Sequence, residues 1–166
     1  MSCGATSFHT VFGSLEQYRK GEIEITSGDA RHYVFSNVFE VAAQSAPYEK
    51  VVVGKNLEYV IEVLRTQGQS RWFACAHDEF VILMDGEVRI DFIKLDTPLE
   101  GGTGTVDAGG QPAGRKMGHV VLRRGHQALL PASCAYRFSA QQAGVALVQT
   151  MVGELSVQKW ADICLH

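Results

Sequence analysis

From residue 71 onward the sequence is a succession of short apolar runs, rich in β-branched and aromatic residues and separated by turn signals. Asp85 and Gly86 form a tight hairpin signal between the first two runs. Many short strands joined in this way fold into an antiparallel barrel or a double-sheet sandwich. The sequence therefore predicts an all-β dominated fold. The predicted strands are residues 72–84, 87–95, 119–123, 127–130, 135–139 and 144–152.

Two helices and two strands are predicted before the barrel. Ser14 is a suitable N-cap for a short peripheral helix over 14–21. Residues 32–41 and 49–53 have strand-like composition. The second helix is predicted over 56–68, because four apolar residues follow the Asn56 cap at helical spacing. These residues are Leu57, Val60, Ile61 and Leu64.

One segment between the predicted strands and one segment after them need separate interpretation. Residues 101–118 are glycine-rich and without periodicity, which predicts a long flexible hairpin excursion. Gly109 and Gly114 have P-loop separation, but Arg115 and Lys116 follow and no helix pattern does, which argues against nucleotide binding. Residues 156–165 are predicted to form a helix that packs over the barrel mouth or a dimer seam.

Composition and charge restrict the class of protein. With 166 residues the chain fits a single domain, and its net charge of -3 with scattered basic residues argues against a nucleic-acid surface. No apolar stretch approaches the ~18 residues that a membrane helix needs. The four cysteines are widely spaced and form no CxxC pair, so reduced thiols in a cytoplasm are expected. The expected partners are small molecules or copies of the chain.

Two short patterns resemble the motifs of the cupins. Glu79-x6-Gly86 matches the second half of the first cupin motif, and Gly125-x5-Pro131 matches the opening of the second. The resemblance covers residues 70–152 and implies a double-stranded β-helix, or jelly-roll barrel, in which both motifs contribute to one pocket. The chain departs from the motifs at the metal-binding histidines. The first two histidine positions hold Phe73 and Cys75, or Trp72 and Ala74 if the longer spacing applies. In the second motif, Ser133 stands at the glycine position, Tyr136 at the third histidine and Ala140 at the asparagine.

The chain is more specifically similar to a small group of bacterial cupins labelled hydroxyquinol 1,2-dioxygenase. The stretches that carry this similarity are HTVFGSLEQYRKG, SNVFEVA, YEKVVVGKNLEYV, CAHDEF and ADICL. The resemblance implies ring cleavage of polyhydroxylated aromatic compounds by a homodimeric enzyme. The alternative is a metal-free cupin that binds a ligand or assembles without turnover, which the missing histidines favour.

A candidate metal centre follows from the alternation of side chains along a strand. If Glu79 points into the barrel, as the resemblance implies, His77 and Cys75 point inward beside it. The alternative is a local bend over residues 76–79, in which His77 caps a turn or pairs with Asp78 and leaves Glu79 alone to hydrogen-bond Tyr136. His77 and Glu79 could then bind one ion, with Tyr136 as a third ligand or as a proton donor to the substrate. The expected cofactor is iron or another divalent metal. Non-haem iron usually needs at least three ligands of this type, so an absence of metal stays an alternative.

Other residues are predicted to line the pocket. Trp72 and Phe73 are expected to form apolar walls, Cys75 and Cys134 to face inward, and His126 to lie at the rim. On the strand 76–84, the face opposite the pocket carries side chains that are apolar enough to need a second covering layer, which supports the homodimer. These side chains are Phe80, Ile82 and Met84.

Overall fold

The computed structural model of the chain describes residues 13–18 and 36–163. Within these residues the chain forms two short helices, α1 (Val38–Gln44) and α2 (Trp160–Ile163), and ten strands. The strands are β1 (Lys50–Asn56), β2 (Tyr59–Gln69), β3 (Phe73–Cys75), β4 (Glu79–Asp85), β5 (Glu87–Leu95), β6 (Thr105–Asp107), β7 (Gly114–Arg123), β8 (Gln127–Leu130), β9 (Cys134–Met151) and β10 (Ser156–Val157).

All ten strands belong to one sheet, and the 18-residue strand β9 lies at its centre. β9 pairs antiparallel with β2, β3, β4 and β5 along its length. β1 and β10 extend the sheet beyond β2, β6 pairs with β3, β8 pairs with β4, and β7 pairs with β5. The sheet curls into a nearly closed barrel, which confirms the predicted jelly-roll class. The runs 135–139 and 144–152 are parts of this one strand.

The interior of the barrel is filled mainly by apolar side chains. Aromatic rings form its centre, with the ring centroids of Tyr136 and Phe138 5.5 Å apart and those of Phe73 and Tyr136 5.9 Å apart. Fully burying side chains of this size stabilises the fold by about 1.5–3 kcal/mol each. The buried core residues are Tyr48, Leu64, Phe73, Val81, Leu83, Val88, Ile90, Phe92, Leu122, Leu130, Tyr136, Phe138, Ala140, Ala146 and Val148.

The helix predicted over 56–68 is wrong, because most of this segment is strand β2. β2 pairs with both β1 and β9, and it is rich in the β-branched residues that suit a sheet. Along it, alternate side chains are buried, at Val60, Glu62, Leu64 and Thr66. The apolar spacing is compatible with both periods, and pairing with β9 decides in favour of the strand.

The strand predicted over 32–41 is also wrong for the part that the structure describes. Helix α1 begins after Asn37, whose Oδ1 accepts hydrogen bonds from the backbone N of Phe39 at 3.0 Å and of Glu40 at 3.3 Å. This capping satisfies amide groups that the first turn leaves without helical partners. The strand predicted over 49–53 is confirmed as β1.

The predicted terminal helices are largely replaced by other structure. Residues 13–18 form a bend rather than a helix, and the rest of 14–21 lies outside the described residues. In the C-terminal segment, β10 precedes α2, so the predicted helix over 156–165 shrinks to one turn, and Cys164 is outside the described residues. Among the described residues, no helix is long and apolar enough to cross a membrane.

The glycine-rich segment is more ordered than predicted, since it contains β6 and the start of β7. Gly104 shows why glycine is needed there. It has φ of +74°, and a Cβ atom at this position would lie 2.5 Å from the Cα atom of Gly153. Because only glycine allows this approach, Gly104 fixes the path of the chain into β6.

Candidate metal and substrate site

The candidate ligands lie at and beside a bend between β3 and β4. The uninterrupted strand predicted over 72–84 is wrong, because residues 76–78 separate Cys75 from Glu79. The Asp78 carboxylate accepts a hydrogen bond of 2.8 Å from the loop before β9, and the Ser133 backbone N donates to the Cys75 carbonyl at 2.9 Å. Ser133 occupies the glycine position of the motif and has φ of +56°.

Despite this bend, the predicted donors converge. Ligand atoms of Cys75, His77 and Glu79 all lie within 4.8 Å of one another. Cys75 and Glu79 are buried, and His77 is half-buried. The three side chains therefore form a compact group of one sulfur, one nitrogen and one carboxylate donor.

Glu79 is fully buried and both of its carboxylate oxygens accept hydrogen bonds. The Tyr136 hydroxyl donates to Oε2 and the Thr105 hydroxyl donates to Oε1, each at 2.6 Å. Burial, followed by the charge of Glu79, raises the pKa of Tyr136 well above its usual value. Tyr136 is thus a protonated phenol that orients Glu79, so the structure brings the two residues together as predicted.

His77 is held by polar groups on both sides of its ring. Nδ1 lies 3.1 Å from Cys75 Sγ, and Nε2 lies 3.1 Å from Thr150 Oγ1. Nε2 also accepts a hydrogen bond of 3.3 Å from the Met151 backbone N. This contact assigns the proton to Nδ1, which then donates to the sulfur of Cys75. These contacts fix the orientation of the ring.

Cys75 completes the network as a thiol. Its Sγ donates to the carbonyl oxygen of Gly104 at 3.1 Å. Burial raises the pKa of Cys75 to about 11, and the charge of Glu79 adds to the rise. A metal ion bound here would have to displace this proton, since the thiolate is the form that binds metals.

The donor set fits a divalent metal ion by type and by distance. Thiolate, imidazole and carboxylate together suit a borderline or soft ion such as zinc or cadmium, and imidazole with carboxylate also suits iron. Binding would replace hydrogen bonds that Cys75, His77 and Glu79 make within the protein. The residues that would hold an ion are thus these three, with Tyr136 outside the group as a hydrogen-bond donor to Glu79.

The predicted pocket residues do not all share one pocket. Phe73 lies in the barrel core, whereas Trp72 lies in a separate cluster on the outer side of the sheet. Cys134 is buried, but its Sγ contacts Met117 Sδ at 3.6 Å rather than the donor group. His126 is exposed in the turn before β8, where Nδ1 accepts from a backbone N. Trp72 and His126 therefore lie apart from the donor group, and their pocket roles stay predictions.

Sequence reasoning missed a buried ion pair beside the donor group. Lys50 Nζ lies 3.1 Å from Glu62 Oε2, and both side chains are 1% exposed. The same ammonium lies 5.2 Å from the centroid of the Phe73 ring. Glu62 Oε1 accepts a further hydrogen bond of 2.6 Å from Ser156. Reading β2 as a strand would have predicted that Glu62 shares the inward face with Val60 and the other buried positions.

A cavity of about 360 Å³ lies next to this pair. Its apolar walls come from Tyr48, Phe73 and Leu155, and Lys50 supplies a cationic group. Small-molecule sites combine apolar walls with a few polar groups in this way. The cavity is large enough for a single aromatic ring.

A scan against models of protein families and a search of curated proteins both find no match. Among solved structures, hydroquinone 1,2-dioxygenase PnpCD in complex with Cd2+ and 4-hydroxybenzonitrile contains a chain that is 61% identical, with a TM-score of 0.94. The match covers 98% of this chain and 100% of that one. Hydroquinone 1,2-dioxygenase from Sphingomonas sp. TTNP3 with 4-hydroxybenzoate bound matches at 54% identity and a TM-score of 0.92, covering 96% of this chain and 98% of that one.

A second kind of match concerns a longer chain. Hydroquinone 1,2-dioxygenase PnpCD in complex with Fe3+ contains a chain that is 13% identical, with a TM-score of 0.61. The match covers 81% of this chain but 38% of that one, so the longer chain is more than twice the length of this one and shares its fold. The expected label, hydroxyquinol dioxygenase, is close to the names of these relatives, which specify hydroquinone. The chain belongs to the hydroquinone 1,2-dioxygenase family of metal-dependent, ring-cleaving cupins.

Proposed function

We propose that this chain is part of a metal-dependent dioxygenase that cleaves the ring of hydroquinone or of a related phenol. The observation that carries the proposal is the 61% identity over the full length of a hydroquinone 1,2-dioxygenase chain. Hydroxyquinol contains the same para pair of hydroxyl groups, so it belongs to the same substrate class. Cleavage adds both atoms of dioxygen to the ring and breaks the bond between a hydroxyl-bearing carbon and its neighbour, which leaves a carboxylic acid and an aldehyde.

The proposed metal ligands of this chain are Cys75, His77 and Glu79. Cys75 replaces Tyr136 in the ligand set predicted from the sequence, because its sulfur lies within 4.8 Å of the other donors. An ion held by these residues would supply the redox chemistry for ring cleavage. Tyr136 is a positioning residue, since its 2.6 Å hydrogen bond orients the Glu79 carboxylate.

The proposed substrate pocket is the cavity of about 360 Å³ beside Lys50. Phe73 and Tyr48 offer ring faces against which an aromatic substrate can pack. Arg71 also lines this cavity, and its exposed guanidinium can donate a hydrogen bond to a phenolic oxygen. Phe73 keeps the role of pocket wall that was predicted from the sequence.

Assembly with a second chain is part of the proposal. The outer face of β2, β4 and β8 leaves large apolar side chains exposed, including Phe80 at 48% and Ile82 at 39%. Ile61 and Leu129 extend this apolar face across neighbouring strands. We assign the face to a longer cupin chain, because relatives with this enzyme name contain a longer chain of the same fold. The homodimer predicted from the sequence is the competing assembly, and the mass of the purified complex distinguishes the two.

A metal-free role is the second candidate function. Both Glu79 oxygens accept hydrogen bonds, Cys75 carries its proton, and His77 is bonded through both ring nitrogens. Such a saturated network is complete without an ion. In this candidate, the chain supports a longer chain that holds the metal.

Metal analysis of purified protein distinguishes these candidates. The protein is produced in iron-supplemented medium, alone and together with the longer chain, and compared with His77→Ala and Glu79→Gln. His126→Ala is the matched control, because His126 is exposed in a turn. The proposed site predicts near-stoichiometric metal that both site variants lose and the control keeps. Absence of metal from the chain produced alone, together with metal retained by both site variants in complex with the longer chain, would instead support the metal-free role.

A further inference from the structure

Arg137 has an unusual environment on the outer side of β9. Its guanidinium lies 4.5 Å from the centre of the Trp72 ring, and its side chain is 28% exposed. Its Nε atom is buried and has no hydrogen-bond partner among the described residues. Within the part of the chain that the structure describes, the nearest carboxylate oxygen is Asp91 Oδ2, at 3.9 Å from Nη2. This distance is too long for a hydrogen bond, so Asp91 does not occupy the guanidinium donors.

Asp91 compensates Arg137 only through this long ion pair, because its closer hydrogen bonds go to Arg89. Its Oδ1 accepts hydrogen bonds from Arg89 Nε at 2.9 Å and from Arg89 Nη2 at 2.7 Å. Arg89 and Asp91 thus form a bidentate pair, which is the strong geometry for arginine and a carboxylate. Arg137 is a stacked, partly buried cation that has no equivalent bidentate partner within residues 13–18 and 36–163.

A cavity of about 300 Å³ lies beside this cation. Lys116 and His119 of β7 line it together with the Arg89 and Asp91 pair. The cavity is therefore lined by three positive side chains, Arg89, Lys116 and Arg137, and by one negative side chain, Asp91. The chain as a whole has a net charge of -3. Trp72 and Ile93 supply the apolar part of the wall.

We propose that this cavity binds the carboxylate group of a small organic acid. Arg137 offers the planar donor fork that matches a carboxylate, and the stacking on Trp72 holds the fork in one orientation. Lys116 adds a second positive charge, and the apolar wall accommodates the hydrocarbon part of the acid. A volume of about 300 Å³ is sufficient for one ring or a short chain.

The cavity is separate from the proposed metal centre. Arg137 follows Tyr136 along β9, so their side chains point to opposite faces of the sheet. Trp72 and Phe73 are likewise divided between the outer cluster and the barrel core. The carboxylate site does not depend on the proposed dioxygenase function, and its test involves no turnover.

Binding of benzoate to the full-length chain tests this site. Benzoate, benzamide and inorganic phosphate are titrated by calorimetry, while the indole N–H signals of the two tryptophans are followed by NMR. We expect saturable benzoate binding with a shift of one indole signal, and at least tenfold weaker binding of benzamide. Phosphate should bind at least tenfold more weakly, because it cannot use the apolar wall.

Variants locate the binding. Arg137→Gln should weaken benzoate binding at least tenfold, and Lys116→Gln, at an exposed position where folding is not at risk, should weaken it several-fold. Arg123→Gln is the matched control, because Arg123 is an exposed arginine of β7, the strand of Lys116, and is paired with Glu87. Absence of saturable benzoate binding, equal affinity for benzamide or phosphate, or full binding by both site variants would overturn the proposal.

Discussion

Replacing Lys50 by methionine tests how strongly the buried ion pair contributes to stability. Lys50 Nζ and Glu62 Oε2 are 3.1 Å apart, and both side chains are 1% exposed. At an effective dielectric constant of about 20, two unit charges at this distance attract each other by about 5 kcal/mol. Lys50→Met removes this attraction and leaves the Glu62 charge buried, with the Ser156 hydroxyl as its remaining donor among the described residues. The variant should lower the free energy of unfolding by about 3–5 kcal/mol.

Urea denaturation at pH 7 measures this loss, and two further variants make it interpretable. Lys159→Met is the matched control, because Lys159 pairs with Glu49 at 3.3 Å while both side chains are more than a quarter exposed. It should cost less than about 1 kcal/mol. The double variant Lys50→Met with Glu62→Leu should recover most of the loss, since no isolated charge is then buried. A Lys50→Met loss no larger than that of Lys159→Met would refute the reasoning.

Three other predictions concern stability. Gly104→Ala should destabilise the fold by about 2–4 kcal/mol more than Gly102→Ala. Both glycines have positive φ, but only at Gly104 would the new Cβ atom lie 2.5 Å from a backbone atom. Equal urea midpoints of the two variants would contradict this. Tyr136→Phe should lower the unfolding free energy by about 1.5–3 kcal/mol, since a buried carboxylate loses a donor, and an unchanged melting temperature would argue against that hydrogen bond. Burial raises the pKa of Tyr48 from 10.0 to about 12. The resulting contribution to stability, about 1–2 kcal/mol, is fully present below pH 10 and is lost as the pH rises to 12. Tyr48→Phe should remove this part of the pH dependence, and an unfolding free energy with the same alkaline pH profile as the unmodified protein would count against it.

The barrel could be predicted because its signals are local. Each of these signals spans only a few residues of sequence. They are the short apolar runs, the Asp85-Gly86 hairpin signal and the two partial motifs. The positions of Glu79 and Tyr136 followed from those motifs, and their 2.6 Å hydrogen bond joins residues 57 positions apart. Register along two strands was therefore enough to place both side chains in one interior.

The elements that were wrong depend on distant partners. Strand β2 was predicted as a helix because its apolar spacing satisfies both periods, and only pairing with β1 and β9 selects the strand. The same error concealed Glu62, which reads as a solvent-facing residue on a helix. Thr105 was hidden for a related reason, since it reaches Glu79 from a glycine-rich segment without periodicity.

The donor group itself was predicted for a partly wrong reason. Cys75, His77 and Glu79 were expected to share a face through alternation along one strand, but the bend at 76–78 breaks that strand. Their convergence instead depends on hydrogen bonds to the loop before β9 and on the approach of the Gly104 carbonyl to Cys75. Neither contact leaves a signal in the local sequence.

Oxygen uptake with hydroquinone tests the central claim most directly. The iron-loaded chain is assayed with and without the longer cupin chain, and the longer chain is also assayed by itself. The proposed function predicts uptake of one dioxygen per hydroquinone, with a carboxylate and an aldehyde in the product, and only in the presence of this chain. Absence of hydroquinone-dependent uptake in every combination, or full activity of the longer chain by itself, would contradict the claim that this chain takes part in ring cleavage.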